Sequence, residues 1–318
     1  MKRTVAALWI PIVFLGLLGC KPEQAGSDRY SNLGQPPRPS IEIRPVYSPD
    51  GRYIAFNSNR GGLFDIYILD VETQHITQLT KHRGNNYVPR WSNDGERLSY
   101  YSNYYGNPWT GKIHHDVYVV DKDGSNARRI TTDPGEDMYA DWLQDDQGLV
   151  FASTRSGTRT LHTINFESGG IEPLFASEDM DFIMFQPNVH KETGDIVFEG
   201  YRDGNSDIWL LRSGSSNAHQ LTFTPEDEYG PSLSPDGTRI LFQVANKDGQ
   251  GQIATIDTMG NGYQVLTEGG AYVTPIWGPG GNIITIYFDP VTEDPVLNNW
   301  NIYTLDINGQ KKQQILDW

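Results

Sequence analysis

Between residues 46 and 80 the chain alternates short runs of β-branched and aromatic residues with clusters of turn residues, a pattern that predicts four strands. The first run ends at Tyr47. The turn Ser48-Pro49-Asp50-Gly51 follows, where proline presets φ and glycine accepts φ > 0. Tyr53-Ile54-Ala55-Phe56 is the second run, Asp65-Ile66-Tyr67-Ile68-Leu69 the third, and Ile76-Thr77-Gln78-Leu79-Thr80 the fourth.

This unit returns five more times. The turn recurs as Ser92-Asn93-Asp94-Gly95 and Ser234-Pro235-Asp236-Gly237, and more loosely at Gly148, Gly194 and Gly278-Pro279-Gly280-Gly281. Counted between Gly51, Gly95, Gly148, Gly194, Gly237 and Gly281, the steps are 44, 53, 46, 43 and 44 residues. A period near ~45 with four strands per unit predicts an all-β fold, a six-bladed β-propeller of four-stranded antiparallel blades spanning residues 41–318. One blade buries too little apolar surface to offset the ordering of its backbone, so six must pack around an axis. Gln313-Gln314-Ile315-Leu316 supplies blade six with its own fourth strand, which predicts closure by packing rather than by strand exchange.

The Ser-Pro-Asp-Gly turn, Ile-Ala-Phe, Asp-Ile-Tyr and Gln-Leu-Thr together resemble the TolB-type propeller repeat, over residues 44–318. Such propellers serve as periplasmic scaffolds, as non-catalytic domains of prolyl-peptidase-like enzymes and as oligogalacturonate lyases, so the resemblance implies a fold more than a function. TolB carries a separate α/β domain before its propeller. Here a short polar segment precedes blade one, which makes the chain similar to a propeller relative of TolB. For TolB itself, the resemblance implies scaffold duty beside the outer membrane, with a peptidoglycan-associated lipoprotein and an energy-coupling protein as partners.

Residues 1–19 read as an export signal: Lys2 and Arg3 form the basic start, and an apolar run of 14 residues from Val5 to Leu18 is too short to span a bilayer. Leu17-Leu18-Gly19-Cys20 resembles the bacterial lipobox, which implies lipidation of Cys20 and attachment through several acyl chains. An ordinary cleaved signal is the alternative. Lys21 stands where an inner-membrane-retained lipoprotein often has aspartate, which favours the outer membrane. Residues 20–40 are the lipidated N-terminus and a polar tether; its twenty residues after Cys20 reach about 60 Å when extended. Cys20 is the only cysteine, so no internal disulfide forms.

The net charge of −15 disfavours nucleic acid and anionic headgroups as ligands. The acids concentrate in the links between blades, which read Asn85-Asn86-Tyr87, Glu136-Asp137-Met138, Asp179-Met180-Asp181 and Asp227-Glu228-Tyr229 when aligned on Trp91, Trp142, Phe185 and Leu233. In a meander blade these links share one face with the loops between second and third strands. Glu136, Asp137, Asp179, Asp181, Asp227 and Glu228 are therefore expected around one mouth of the axial channel, where they attract cations or basic partners or simply keep the loops soluble. Hard oxygen ligands suit calcium, yet no Asp-x-Asp-x-Asp-Gly loop is present, so no cofactor is expected beyond a possible calcium ion in the channel. Blade one contributes Glu42 and blade six Tyr272 at this level.

The long blade-two loop, residues 103–115, adds Tyr104, Tyr105, Trp109, His114 and His115 to the same face, and the blade-six extension ends at Trp300. Tyr and Trp there suit a protein anchor or a sugar stack, or fold back on the rim. His114 and His115 are adjacent on an extended strand and point to opposite sides, which argues against joint ligation of one metal. Asp65, Asp116, Asp207, Arg60 and Arg202 recur at fixed blade positions and are assigned to blade architecture. No Gly-x-Ser-x-Gly elbow and no phosphate-binding Gly-rich loop before a helix is found. The expected function is a monomeric, lipid-anchored scaffold that binds an envelope protein or envelope polymer through its acidic, aromatic mouth. The alternative is a polysaccharide-active lyase or hydrolase, or a glycan-binding propeller, using the mouth carboxylates.

Overall fold

The computed structural model describes residues 41–81, 83–104, 114–132, 135–174, 182–245, 251–268, 271–288 and 300–315. They form six four-stranded sheets, each an antiparallel meander in sequence order. The first strands of blades one to six are Glu42–Tyr47, Asn86–Trp91, Asp137–Trp142, Ile183–Val189, Asp227–Leu233 and Ala271–Trp277. Each packs against the first strand of the next blade, so these six strands surround the axis. Fourth strands such as Ile76–Gln78 and Gln264–Val265 lie outermost, short and largely exposed, which limits edge pairing with other chains.

Every blade is covered on both faces by its neighbours, so its inner strands are apolar on both sides rather than on alternate positions. The second strand shows this. One aromatic recurs at the same register in five blades, Phe56, Tyr100, Phe151, Phe198 and Phe242, all between 0 and 1% exposed. Phe56 stacks on Tyr67 at 6.0 Å, Tyr100 on Tyr118 at 5.4 Å and Phe198 on Trp209 at 6.5 Å, joining second to third strands. Each such ring contributes roughly 2–3 kcal/mol by burial. Blade six has Thr285 there instead, with its hydroxyl on the Val273 carbonyl at 2.9 Å.

The turn between first and second strands is held by its own side chains. Ser48, Ser92 and Ser234 donate to Asp50, Asp94 and Asp236 at 2.6, 2.5 and 2.6 Å. Gly51 takes φ 73° there, the left-handed region in which a side chain is strained.

Blade six forms all four of its strands from Ala271 onward, the last being Lys311–Gln314 paired with the third. Its start is two residues earlier than the pattern suggests, because the tight turn at Gly309 sets Lys311 opposite Leu305. The ring closes where the first strand of blade one packs on the second and third strands of blade six, so closure is by packing. Blade four departs from the expected alignment. Val189 stands opposite Ile196 as Trp91 stands opposite Leu98 and Trp142 opposite Leu149, so Val189 and not Phe185 ends its first strand.

Candidate functional site

Each of the six axial strands contains a bulge at one register. In blade one, Arg44 and Pro45 together face the gap left by pairs Ile43 with Asn57 and Val46 with Ala55, two residues against one. The first bulge residue is left-handed in every blade: Arg44 (φ 56°), Val88 (53°), Tyr139 (56°), Gln186 (46°), Gly230 (56°) and Thr274 (51°). Five of these carry a side chain that disfavours this conformation by roughly 1–2 kcal/mol each, so surrounding contacts must over-determine it. Neighbouring blades supply them. Asn57 accepts the Val88 N–H at 2.9 Å and Gln243 the Thr274 N–H at 3.2 Å, and Glu199 takes the Gly230 N–H in the same way. The second bulge residue is Pro45, Pro89, Pro187, Pro231 or Pro275, with Ala140 in blade three. Proline is tolerated because the ladder is already interrupted there.

The bulges aim side chains at the axis. Arg44 of blade one donates across it to Gln186 of blade four, and its guanidinium lies 6.0 Å from the Tyr139 ring centre of blade three. Gln186 donates to Glu199 at 2.9 Å. Burial pushes the Glu199 carboxyl up to about 7, against the Gln186 and Gly230 hydrogen bonds and the Arg44 charge, which favour its ionised form. Two residues beyond Val88, the half-buried Arg90 has Asp141 and Arg44 as its charged neighbours. Asp141 accepts the Val189 N–H at 2.9 Å, the Asn188 amide at 3.1 Å and the Trp142 N–H at 3.0 Å. Sequence reading missed Arg44, Arg90, Gln186 and Glu199. The recurrent proline was the available signal, since it marks the axial register in five blades.

Nearer the mouth, the link residues turn into the blade junctions. Asn86 donates to Asp65 at 2.8 Å, and Thr80 donates to the same oxygen at 2.9 Å while accepting the Ile66 N–H. Thr131, Thr222 and Thr267 accept the Val117, Ile208 and Ile253 N–H groups at 2.9–3.0 Å, so the Gln-Leu-Thr repeat ties the fourth strand to the third. Asp137, at the register of Asn86, is 0% exposed and accepts Arg155 Nη2 on both carboxylate oxygens at 3.1 Å each. Asp116 across that junction pairs with Arg129 at 2.8 Å and His114 at 3.3 Å. Glu42 pairs with Arg60 at 3.0 Å in the same manner. Asp65, Asp116, Asp207, Arg60 and Arg202 do serve blade architecture, Arg202 lying over Phe182 and Trp209.

Glu228 occupies the register of Asp137 in blade five, also 0% exposed, with Thr224 and the Tyr263 hydroxyl on one oxygen. Burial pushes its carboxyl up to about 7, with Asp207 adding repulsion. Asp137, closed off by Arg155, and Glu228, closed off by Thr224 and Tyr263, are thus withdrawn from the mouth solvent. Asp227 is half-buried and accepts the Ser206 N–H at 2.8 Å. Glu136 is half-exposed, ion-paired with Arg159 at 3.0 Å and 4.0 Å from His115, and Arg159 also covers the Phe185 ring at 4.9 Å. With Val189 ending the first strand, Met184 takes the register of Asp137 in blade four. Asp179 and Asp181 precede that strand and lie outside the described residues, as do Cys20, Tyr105, Trp109 and the Trp300 side chain.

Tyr104 is 42% exposed. Three residues before it, Tyr101 belongs to an aromatic file across blades one to three: Phe64 to Tyr87 at 5.7 Å, Tyr87 to Tyr101 at 5.4 Å, then Tyr101 to both His115 and Tyr139 at 5.4 Å. Burial among these rings pushes His115 down to about 4, so it is neutral near pH 7, while His114 turns to Asp116. Among the described residues no group of three or more His, Cys, Asp or Glu side chains converges as a metal set. No described helix is long and apolar enough to cross a membrane.

A family model described as the TolB beta propeller domain matches residues 36–114. The Tol-Pal system protein TolB of Francisella tularensis subsp. mediasiatica (strain FSC147) is 23% identical over 240 residues, covering 74% of this chain and 54% of that protein. Its counterpart from Bordetella pertussis (strain Tohama I) is 28% identical over 276 residues, covering 74% and 61%. The chain spans little more than half the length of these relatives. Among solved structures, TolB from Acinetobacter baumannii superposes with a TM-score of 0.65 at 22% identity, over 74% of this chain and 57% of that one. An oligogalacturonate lyase in complex with manganese gives 0.56 at 18% identity, over 87% and 78%. These structural likenesses bear on the fold alone. Six four-stranded blades in a closed ring make this chain a six-bladed β-propeller, and the matching propeller model and relatives show it to be similar to TolB.

Proposed function

We propose that the protein is a cell-envelope scaffold, held to the membrane by lipid on Cys20, that binds an envelope protein through the mouth face of blades one to four. The observation that carries this reading is the mouth surface itself. Tyr104 is exposed three residues beyond Tyr101 of the aromatic file, and the half-exposed Glu136–Arg159 pair meets that file at His115 and lies over Phe185. Large amphipathic rings next to a charged pair suit a protein anchor, since Tyr and Arg concentrate binding energy at interfaces. The relatives named as Tol-Pal system proteins support an envelope setting. The surface carrying this role is narrower than a ring of mouth carboxylates, because Asp137 and Glu228 serve the junctions between blades.

The test places a photocrosslinking residue at Tyr104 in the full chain, expressed in its native host, and identifies the adduct. A specific protein adduct that is lost in Glu136→Lys supports the scaffold reading. Full anchoring with no specific adduct overturns the binding part, and a chain that takes up no labelled fatty acid, or takes it up unchanged in Cys20→Ser, overturns the anchoring part.

A further inference from the structure

We propose that Arg44 and Arg90 form a carboxylate-binding site on the propeller axis, below the mouth. Both side chains project from axial strands of adjacent blades, yet neither is neutralised by a direct ion pair among the described residues. Arg90 Nη1 is buried with no hydrogen-bond partner there, and Thr274 Oγ1, at the register of Arg44 on the neighbouring blade six, is in the same condition. Arg44 is 7% exposed and makes one side-chain hydrogen bond, to Gln186.

Asp141 lends Arg90 its charge, but neither nearby acid supplies the missing hydrogen bond. Asp141 already accepts three N–H groups from its own blade and the next, and Glu199 holds Gln186 and the Gly230 N–H. Two guanidinium groups thus stand on the axial strands of adjacent blades, Arg44 turned across the axis to Gln186 and Arg90 with its buried Nη1 left over as a donor. A buried cation in this state is stabilised by an anion with in-plane lone pairs, and the guanidinium fork matches a carboxylate. The chain's net charge of −15 repels polyanions at long range, so a single carboxylate on an otherwise neutral body fits best. Such a group is the end of a peptide or the acid of a sugar. The Tyr139 ring already under Arg44 forms one wall for either.

This inference does not rest on the mouth-face reading, and its test uses small acids alone. In the full chain, with side-chain Nε–H resonances of Arg44 and Arg90 assigned by through-bond correlation, N-acetyl-diglycine and methyl glucuronoside are titrated at fixed ionic strength. N-acetyl-diglycinamide is the uncharged control. The expected result is saturable movement of both arginine signals with at least one acid and none with the amide. The acid that binds more tightly identifies the source. Arg90→Lys, which keeps the charge and loses the fork, is expected to weaken binding about tenfold. Movement that fails to saturate by tens of millimolar, or that is the same with the amide, overturns the proposal, and that reading needs no variant to fold. Unchanged affinity in a folded Arg90→Lys variant overturns it as well.

Discussion

Asn57 of blade one accepts the N–H of Val88 in blade two at 2.9 Å, and its own amide donates to the Asn86 carbonyl. One side chain thereby holds the left-handed bulge of the next blade on both sides. Asn57 is 0% exposed, so its loss leaves a buried N–H and a buried carbonyl without partners. Asn57→Ala is expected to lower stability by about 2–4 kcal/mol, measured by urea denaturation. A change under about 0.5 kcal/mol would mean that the bulge is held by packing alone.

The two charged pairs at the blade-three mouth differ in burial, which predicts opposite mutational outcomes. Arg155 lies over the Phe151 ring at 5.2 Å and binds a fully buried Asp137. Arg155→Leu strands that carboxylate and is expected to cost about 3–5 kcal/mol. Arg159 binds the half-exposed Glu136, and Arg159→Leu is expected to cost under about 1 kcal/mol. Denaturant midpoints of the two variants check the contrast, and equal losses would contradict it.

Glu199 and Glu228 set a pH dependence with a definite sign. Burial is the first cause in both, and each folded carboxyl stands at about 7 against an ordinary 4.5. The folded state therefore binds more protons than the unfolded chain between those values. Stability from these groups is present at low pH and is lost as pH rises from about 4.5 to about 7. His115, held down to about 4 from 6.5, acts in the opposite sense below pH 6.5. The decline is therefore clearest between about pH 6 and 7.5. Glu199→Gln keeps the acceptor for Gly230 and is expected to shrink the loss between pH 5 and pH 8 by on the order of 3 kcal/mol, read from denaturation at each pH. An unchanged pH profile would show that Glu199 ionises freely in the folded state.

Gly51 provides a local check on ring closure. It has φ 73°, and an added Cβ would lie 3.0 Å from Pro279 Cγ of blade six. Gly51→Ala is expected to cost about 1–2 kcal/mol through the left-handed backbone. A neutral result in thermal denaturation would show that the turn relaxes without disturbing the junction.

By itself the sequence determined the blade count, the four-strand meander, the Ser-x-Asp-Gly turns and closure without strand exchange. Turn chemistry and the apolar character of strands buried on both faces are local, so residues such as Ser48, Asp50, Gly51 and Phe56 carry them within a few positions. The structural duty of Asp65, Asp116 and Asp207 was legible for the same reason, because each blade repeats it. Only the tertiary structure decided where the link acids point. Asp137 and Glu228 look like rim residues in a linear reading, and the folded chain buries both, Asp137 under Arg155 and Glu228 against Thr224 and Tyr263. It also decided the register of blade four, where pairing with Ile196 makes Val189 and not Phe185 the end of the first strand. The axial contact between Arg44 and Gln186 spans 142 positions, and no spacing rule connects residues on opposite sides of a closed ring. Local propensity builds each blade, whereas the chemistry of the axis arises only when all six are assembled.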